Sequence, residues 1–306
     1  MSYNPILKEI FDTQEMRDIK KLDIVSQREI FDQQSAEMLA EIDKTYDVTQ
    51  DDIYLDNNTF VRRYSPSIDS DESILFIHGG GWCVGSVNSY DNVCRYLCDK
   101  SCFNVFSLEY GLSPENKFPI AVNQAIYAYD WLSENSINLG INKQNITVMG
   151  DSAGGNFATI ICHERQGNMP KSQVLIYPAV DMYTQYPSNI KYNKYMYHLT
   201  SAWCDKFMEA YLYDDIKYDR EKLKNPKISP LFYKDTKQPK TLLLAATHDI
   251  LIDGIYEYEK KLINDGTDVQ TYYDDEMFHG FISTIDISPL PNAQKALDYI
   301  VKFLKN

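Results

Sequence analysis

The stretch Ile146-Thr147-Val148-Met149-Gly150-Asp151-Ser152-Ala153-Gly154-Gly155 joins an apolar run to a serine between glycines. The run predicts a buried strand that ends abruptly, and the residues from Ala153 onward predict a helix. Gly150 and Gly154 flank Ser152 at two-residue distance, where a side chain would collide across so tight a bend. This G-x-S-x-G pattern is typical of a nucleophile elbow, which lifts a serine hydroxyl clear of its strand. Alone it is ambiguous, because glycine and serine clusters also form ordinary turns.

A second glycine-rich segment, His78-Gly79-Gly80-Gly81-Trp82, directly follows another apolar run. Attack on a carbonyl places negative charge on its oxygen, and backbone N–H groups without side-chain cover are preorganised donors for that charge. We predict an oxyanion hole formed by the N–H groups of Gly80, Gly81 and Ala153, with Gly79 as a close alternative. A phosphate-binding loop is disfavoured, because the sequence contains neither G-x-G-x-x-G nor G-x-x-x-x-G-K-[ST].

A serine nucleophile needs a general base, and the chain has five histidines. His163 would lie about 16 Å from Ser152 along one helix, at 1.5 Å per residue, so we expect it to be structural. His78 opens the glycine loop and is expected to fix its shape, and His198 lies in an insertion. His279 follows the last predicted strand, at the sheet edge where α/β active sites collect, and is therefore the predicted base.

The base in turn needs a carboxylate that orients it and stabilises its charged form. Asp249 follows the predicted strand at residues 241–246, so its side chain can emerge at the same sheet edge. Asp253 is the rival, four residues later, where we expect it to cap the following helix. The acidic residues 274–276 lie too close to His279 to fit the order serine, acid, histidine. Asp249 is therefore the predicted acid.

Short strand-type runs alternate with helical periodicity from residue 47 onward. The eight predicted strands are residues 52–55, 60–64, 73–77, 104–110, 146–149, 173–177, 241–246 and 269–273. The five predicted helices in this region are residues 87–100, 120–134, 153–164, 254–265 and 292–303. The alternation predicts an α/β fold with a mostly parallel eight-stranded sheet and helices on both faces.

Two segments stand outside this alternation, at about residues 1–45 and about residues 181–227. The first has helix-like periodicity, and the second reads as an inserted helical cap that is rich in tyrosine. The large side chains concerned are Tyr183, Tyr186, Tyr192, Tyr195, Tyr197, Tyr211, Tyr213 and Tyr218, with Met182, Met196, Trp203 and Phe207. They could pack the cap against the sheet or, as a set, line a pocket. We expect residues 1–306 to form one domain with these two cap elements.

Composition limits the classes of partner. With a formal net charge of -14, the surface repels phosphate backbones and anionic headgroups, so neither nucleic acid nor membrane insertion is expected. No stretch has the features of a secretory signal or a membrane span, which favours the cytoplasm. Spacing by four would place Cys94, Cys98 and Cys102 on one helix face, but metal-site cysteines are usually closer together and paired with a second cluster. We expect buried thiols and no metal.

The conjunction of motifs resembles that of the hormone-sensitive-lipase-like esterases, a family with the α/β-hydrolase fold. Residues 78–82 match the family's H-G-G-G-W loop, and residues 150–155 match its G-D-S-A-G-G elbow. Asp249 and residues 279–281 match its acid and base regions. The resemblance covers about residues 71–280, and the combination is highly specific.

A further family segment, D-Y-R-L-A-P-E followed by F-P, is similar to residues 109–119 but differs at Glu109, Gly111 and Ser113. These departures fall in what we expect to be a supporting loop. The resemblance implies a helical cap built from the N-terminal helices and an insertion after the sixth strand. It also implies cofactor-free hydrolysis of short acyl esters. Dimers occur in the family, although nothing in this sequence requires a homodimer.

These features predict a serine carboxylesterase for small-molecule esters with short acyl chains, acetyl to butyryl, that works through an acyl-enzyme. Ser152 is the predicted nucleophile, His279 the base and Asp249 its orienting acid. An amidase or lactonase would use the same triad, and the aromatic, acidic cap suggests a carbohydrate deacetylase as another alternative. A small-molecule receptor without catalysis is a different class of function, which the complete set of catalytic residue types disfavours.

Overall fold

The computed structural model of the chain describes residues 13–41, 46–56, 59–193, 199–285 and 291–306. Its strands are β1 (Val48–Tyr54), β2 (Phe60–Pro66), β3 (Ser73–Ile77), β4 (Asn104–Glu109), β5 (Ile146–Asp151), β6 (Ser172–Ile176), β7 (Lys240–His248) and β8 (Val269–Phe278). Its α-helices are α1 (Gln14–Ile19), α2 (Ile24–Glu41), α3 (Asp91–Ser101), α4 (Ile120–Glu134), α5 (Ser136–Leu139), α6 (Ala153–Glu164), α7 (Pro187–Lys191), α8 (Ser201–Tyr211), α9 (Asp214–Lys217), α10 (Ile252–Asn264) and α11 (Asn292–Leu304).

The strands form one eight-stranded sheet in the order β1-β2-β4-β3-β5-β6-β7-β8. The β1/β2 and β2/β4 pairs are antiparallel, and all other neighbours are parallel. Ile77 at the end of β3 lies opposite Leu108 of β4 and Gly150 of β5. The carboxyl ends of these strands therefore meet at one sheet edge, from which the two glycine-rich loops leave.

Burial of the central strands explains why they read as continuous apolar runs. All five residues of β3 and all six of β5 are buried, because helices cover both faces of the sheet. Helix α4 packs against α6, and α3 packs against α11. The predicted α/β-hydrolase fold is thus confirmed.

Several predicted bounds coincide with the structure, namely those of β3, α4 and α6. Two edge strands differ. Strand β1 begins four residues before the predicted start at residue 52, because its exposed polar positions show no apolar alternation. Strand β8 continues to Phe278 rather than ending at residue 273, because β7 pairs with it that far across an irregularity between Ala246 and His248. His279 therefore directly follows the end of β8, with no long loop between them.

The segments predicted as cap contain helices α1 and α2 in the first and α7 to α9 in the second. We call residues 13–41 and 181–227 the cap segments; residues 1–12, 42–45 and 194–198, with Tyr195, Tyr197 and His198, lie outside the described residues. The two segments touch, because Trp203 Nε1 donates to Gln27 Oε1 at 3.0 Å. Lys206 Nζ also donates to the carbonyl oxygen of Lys20 at 2.7 Å.

Two of the three spaced cysteines are core residues. Cys94 and Cys98 are fully buried in α3, and Cys102 follows the helix in a left-handed conformation with φ 61°. In the described part of the chain, no group of three histidine, cysteine or acidic side chains could hold a metal ion. Among the same residues, no helix is long and apolar enough to cross a membrane.

Candidate active site

Ser152 stands at the junction between β5 and α6 in a backbone conformation that few residues adopt. Its φ is 52° and its ψ is -114°, a strained geometry for a residue with a side chain. Hydrogen bonds hold it there: its N–H donates to the carbonyl oxygen of Ile176 at 2.9 Å, and its own carbonyl accepts from the N–H groups of Asn156 and Ala179. The turn projects the hydroxyl toward a cavity at the sheet edge.

The flanking glycines are required because the elbow packs directly on backbone. A Cβ atom added to Gly150 would lie 2.4 Å from the carbonyl group of Gly154. A Cβ on Gly154 would lie 1.9 Å from the carbonyl oxygen of Ile77, at the end of β3. Neither position has room for a methyl group, as the sequence predicted.

The structure brings the three predicted catalytic side chains into one hydrogen-bonded row. Ser152 Oγ lies 2.7 Å from His279 Nε2, and His279 Nδ1 lies 2.6 Å from Asp249 Oδ2. Asp249 is 1% exposed, and its other oxygen accepts from the N–H of Leu251 at 2.9 Å. The carboxylate is therefore fixed in a direction that keeps the proton on Nδ1 and leaves Nε2 to accept from the serine.

The rival residues lie elsewhere. Asp253 accepts from the N–H of Ser188 at 2.8 Å, so it caps α7 of the second cap segment. The prediction that it caps its own helix, α10, is therefore wrong. His163 Nε2 lies 3.2 Å from the hydroxyl of Tyr258, and its ring stacks on Tyr233. Burial lowers the pKa of His163 to about 4, which keeps this histidine neutral and structural.

The glycine loop turns sharply beside the serine. Gly80 and Gly81 have φ values of 111° and 59°, and the carbonyl oxygen of Gly80 accepts from the N–H groups of Cys83 and Val84. Gly80, Gly81 and Ala153 line the same cavity as Ser152. The N–H of Gly79, the alternative donor, instead donates to Asp151 Oδ1 at 2.7 Å. Gly79 is therefore a fixed point of the loop and has no N–H to offer a substrate.

His78 stabilises this loop from the core side. Its Nδ1 donates to the carbonyl oxygen of Gly79 at 2.8 Å, and its ring stacks on Tyr110 with centroids 4.3 Å apart. The Tyr110 hydroxyl donates to the carbonyl oxygen of His78 at 3.0 Å. Burial lowers the pKa of His78 to about 4, so the ring is neutral. The segment that departs from the family pattern also contacts this loop, because the N–H of Ser113 donates to the carbonyl oxygen of Trp82.

Asp151, the residue before Ser152, is a buried carboxylate behind the site. It is 2% exposed, and its Oδ2 accepts from the hydroxyl of Tyr90 at 2.9 Å while Oδ1 accepts from Gly79. Burial raises the pKa of Asp151 to about 6, although these hydrogen bonds and the nearby His279 oppose the rise. Asp151 thus ties the elbow to the glycine loop.

Tyr177 packs its ring against the imidazole of His279. Its ring centroid lies 4.8 Å from that of His279, and its hydroxyl accepts from the N–H of Ile282 at 3.3 Å. Its backbone φ is 33°, and its N–H donates to the carbonyl oxygen of Leu244. Neither Tyr90 nor Tyr177 could be selected from 24 tyrosines by sequence, since only the fold brings them to the site.

A cavity of about 380 Å³ lies between the site and the cap segments. Its aromatic lining from the cap segments consists of Phe31, Trp203 and Phe207, and Ser152 and His279 form its floor. None of the cap tyrosines in the described ranges lines this cavity. Tyr211 instead stacks on Trp82 with centroids 4.5 Å apart, whereas Tyr213 and Tyr218 are exposed. Of the predicted set of large side chains, Met182, Trp203 and Phe207 therefore line the pocket, and the described tyrosines do not.

A serine on a strand-to-helix elbow, hydrogen-bonded to a histidine on a mostly parallel sheet of eight strands, defines the class of α/β hydrolases. A family model described as the alpha/beta hydrolase fold matches residues 74–283, and the chain belongs to this family. It is similar to the ethyl acetate hydrolase of Pseudomonas putida, with 32% identity over 254 residues that cover 80% of this chain and 77% of that protein.

Two solved structures are similar along the whole chain. The Francisella virulence factor BioJ has 56% sequence identity and a TM-score of 0.95, with 99% of each chain covered. An esterase of Pyrobaculum calidifontis has 30% identity and a TM-score of 0.89, with 99% of this chain and 98% of that chain covered. The predicted resemblance to hormone-sensitive-lipase-like hydrolases is confirmed, and the chain is a serine hydrolase of the ester-hydrolysing type.

Proposed function

We propose that this protein hydrolyses carboxylic esters with short acyl chains through a covalent acyl-enzyme on Ser152. The observation that carries the proposal is the row of hydrogen bonds from Ser152 through His279 to the buried Asp249. Each ring nitrogen has one partner, so the imidazole is oriented to take the serine proton.

In the first half of the reaction, Ser152 Oγ forms a bond to the ester carbonyl carbon while its proton moves to His279 Nε2. The carbonyl oxygen takes up the electron pair, and the N–H groups of Gly80, Gly81 and Ala153 stabilise its charge. His279 then returns the proton to the alkoxide as the bond from carbon to leaving oxygen breaks. The products of this half are a free alcohol and an acyl-serine.

Water completes the cycle by the same route. His279 removes a proton from water as its oxygen attacks the acyl carbon, and the same N–H groups stabilise the second oxyanion. Collapse of this intermediate breaks the bond to Ser152 Oγ, which recovers its proton from His279. Asp249 keeps its charge throughout and stabilises the imidazolium each time it forms.

The size of the cavity supports a preference for short chains. At about 380 Å³ it is near the lower end of the range of about 300–1,000 Å³ for small-molecule sites, and acyl and alcohol groups must share it. Phe207 lies directly against the glycine loop, because a Cβ on Gly81 would meet its ring at 2.4 Å. The name of the ethyl acetate hydrolase among the relatives supports the same size of substrate.

The test is hydrolysis of p-nitrophenyl esters from acetate to octanoate by the parent protein and by Ser152→Ala. We expect the highest kcat/KM at acetate to butyrate, a burst of nitrophenol at high enzyme concentration, and no burst or turnover in Ser152→Ala. Ser70→Ala is the matched control, because Ser70 precedes β3 and lies at the opposite edge of the sheet. Turnover by Ser152→Ala at the parent rate would refute the mechanism.

The same panel separates the alternatives that share the triad. A matched anilide, a lactone and an acetylated sugar test amidase, lactonase and deacetylase activity in turn. An optimum at octanoate would overturn the preference for short chains. Faster turnover of the acetylated sugar than of simple acetates would identify the protein as a carbohydrate deacetylase instead.

A further inference from the structure

Arg28 on α2 reaches from the first cap segment to the end of the glycine loop. Its Nε donates to the carbonyl oxygen of Cys83 at 2.7 Å, and its Nη2 donates to the carbonyl oxygen of Ser113 at 2.7 Å. Nη1 and Nη2 also donate to the two carboxylate oxygens of Glu115, each at 2.9 Å. One guanidinium therefore joins three parts of the chain.

The two carbonyl groups that it binds belong to the structure that shapes the glycine loop. Cys83 closes the turn that starts at Gly80, because its N–H donates to the carbonyl oxygen of Gly80 at 3.0 Å. Ser113 holds the middle of the same turn through its N–H, which donates to the carbonyl oxygen of Trp82 at 2.9 Å. Arg28 thus fixes the exit of the turn and the segment that supports it.

Glu115 orients the guanidinium in this position. Half of the Glu115 side chain is exposed, so the ion pair adds little to stability by itself. The bidentate pairing does fix the plane of the guanidinium, which directs Nε and Nη2 at the two carbonyl groups. Hydrogen bonding to Arg28 lowers the pKa of Glu115, which keeps the pair charged.

We propose that Arg28 is a positioning residue for the oxyanion hole, through which the docked N-terminal helix sets the direction of the Gly80 and Gly81 N–H groups. This proposal rests on the proposed function of those groups. A second contact acts on the same turn from the other cap segment, since the ring of Phe207 lies against Gly81. Arg28 does not line the cavity, so its effect on substrate passes through the loop.

The experiment compares Arg28→Met, Arg28→Lys and Glu115→Gln with Lys206→Met. Lys206 is a matched control, because its Nζ binds the carbonyl oxygens of Lys20 and Leu22 and so holds the same cap segment without touching the glycine loop. Each variant is assayed for kcat and KM on p-nitrophenyl acetate, for the melting temperature, and for inhibition by a short-chain trifluoromethyl ketone. The ketone adds to the serine and places its oxyanion in the hole.

For Arg28→Met we expect kcat to fall about 10- to 100-fold with little change in KM, since a displacement of about 1 Å can reduce rate by about 100-fold. The inhibition constant of the ketone should rise by the same factor. Arg28→Lys should be intermediate because an ammonium cannot bridge both carbonyl groups. Glu115→Gln, which keeps the two carbonyl contacts, should lose less than about fivefold. Lys206→Met should keep the parent kcat even where its melting temperature falls.

The proposal is overturned if Arg28→Met keeps the parent kcat and ketone affinity, or loses no more than Lys206→Met. If Arg28→Met does not fold, Arg28→Lys and Glu115→Gln decide the matter by the same two readouts. The ketone also separates this inference from the proposed function. If it inhibits the parent protein and does not bind Ser152→Ala, the catalytic roles stand, whatever the Arg28 variants do.

Discussion

Replacing Asp151 with asparagine should make the protein more stable and less active. Asp151 is 2% exposed, and burial raises its pKa from 3.8 to about 6. A carboxyl group with a higher pKa in the folded chain binds its proton more tightly when folded. Ionisation of Asp151 therefore destabilises the native state as pH rises from 3.8 to about 6, and this loss is complete above pH 6.

The size of the effect follows from the two pKa values. A difference of about two pKa units corresponds to about 3 kcal/mol at pH 7.5. An uncharged asparagine avoids this cost and fills nearly the same volume. With an unfolding entropy of about 2 cal/mol/K per residue, Asp151→Asn should raise the melting temperature by about 5 °C. At pH 5, where the parent carboxyl is mostly protonated, the gain should be about half as large.

Activity should move in the opposite direction. In the variant, the asparagine oxygen can still accept from the N–H of Gly79, but its amide nitrogen faces the hydroxyl of Tyr90. In the parent protein that hydroxyl donates to a carboxylate oxygen of Asp151. Loss of the charged acceptor loosens the glycine loop, and we expect kcat on p-nitrophenyl acetate to fall by about tenfold, equivalent to about 1.4 kcal/mol. A lower melting temperature at pH 7.5, or a gain that does not change with pH, would refute the reasoning.

Three further predictions concern the wall of the cavity, the elbow and the core. Phe207→Ala should favour longer acyl chains, by about fourfold in relative kcat/KM for each methylene that enters the new space, measured from acetate to octanoate. Gly154→Ala should destabilise the protein by more than about 3 kcal/mol, since its Cβ would lie 1.9 Å from a carbonyl oxygen; urea unfolding measures the loss. Lowering the pH from 7 to 4.5 should reduce the free energy of unfolding by about 2 kcal/mol through His163, because its pKa is about 4 in the folded chain and the unfolded histidine takes up a proton first.

Each of these has a control in the same chain. Phe207→Leu keeps most of the wall and should give a smaller shift, whereas an unchanged acyl profile in Phe207→Ala would show that this ring does not limit the chain. Gly140→Ala adds a Cβ with no atom within 4 Å, so it should cost only about 1 kcal/mol, which comes from its φ of 68°; Gly154 lies in α6 and has no such backbone strain. His163→Gln should flatten the dependence of stability on acid pH; an unaltered slope would assign that dependence to other groups.

Sequence reasoning predicted the row of Ser152, His279 and Asp249 because each residue directly follows a strand in the parallel part of the sheet. Ser152 directly follows β5, Asp249 follows β7, and His279 follows β8. Parallel strands bring such ends to one edge, so chain order and apolar periodicity are sufficient to bring these residues together. The interior strands were predicted because burial on both faces leaves a continuous apolar signal, and the helices between them because one buried face leaves helical periodicity.

What the sequence could not show depends on side-chain direction. The aromatic content of the cap segments does not tell which rings point inward: Trp203 and Phe207 line the cavity, and none of the described cap tyrosines does. The pairs Tyr90–Asp151 and Arg28–Cys83 join residues 61 and 55 positions apart. No local pattern marks them, because tyrosine and arginine occur throughout the chain in other roles. The prediction ended β8 at residue 273 and missed its charged end, because those residues form a strand only through pairing with β7.

The contact between Gln27 and Trp203 spans 176 residues, and it bears on the order in which the protein is made. A ribosome releases α1 and α2 long before α8 exists, so the first cap segment has no partner helix while the sheet is being synthesised. The hydrogen bonds from Arg28 to the carbonyl groups of Cys83 and Ser113 also form only when the first cap segment docks. During biosynthesis α1 and α2 thus emerge before the strands of the sheet, and they can dock only after α8 has followed β6.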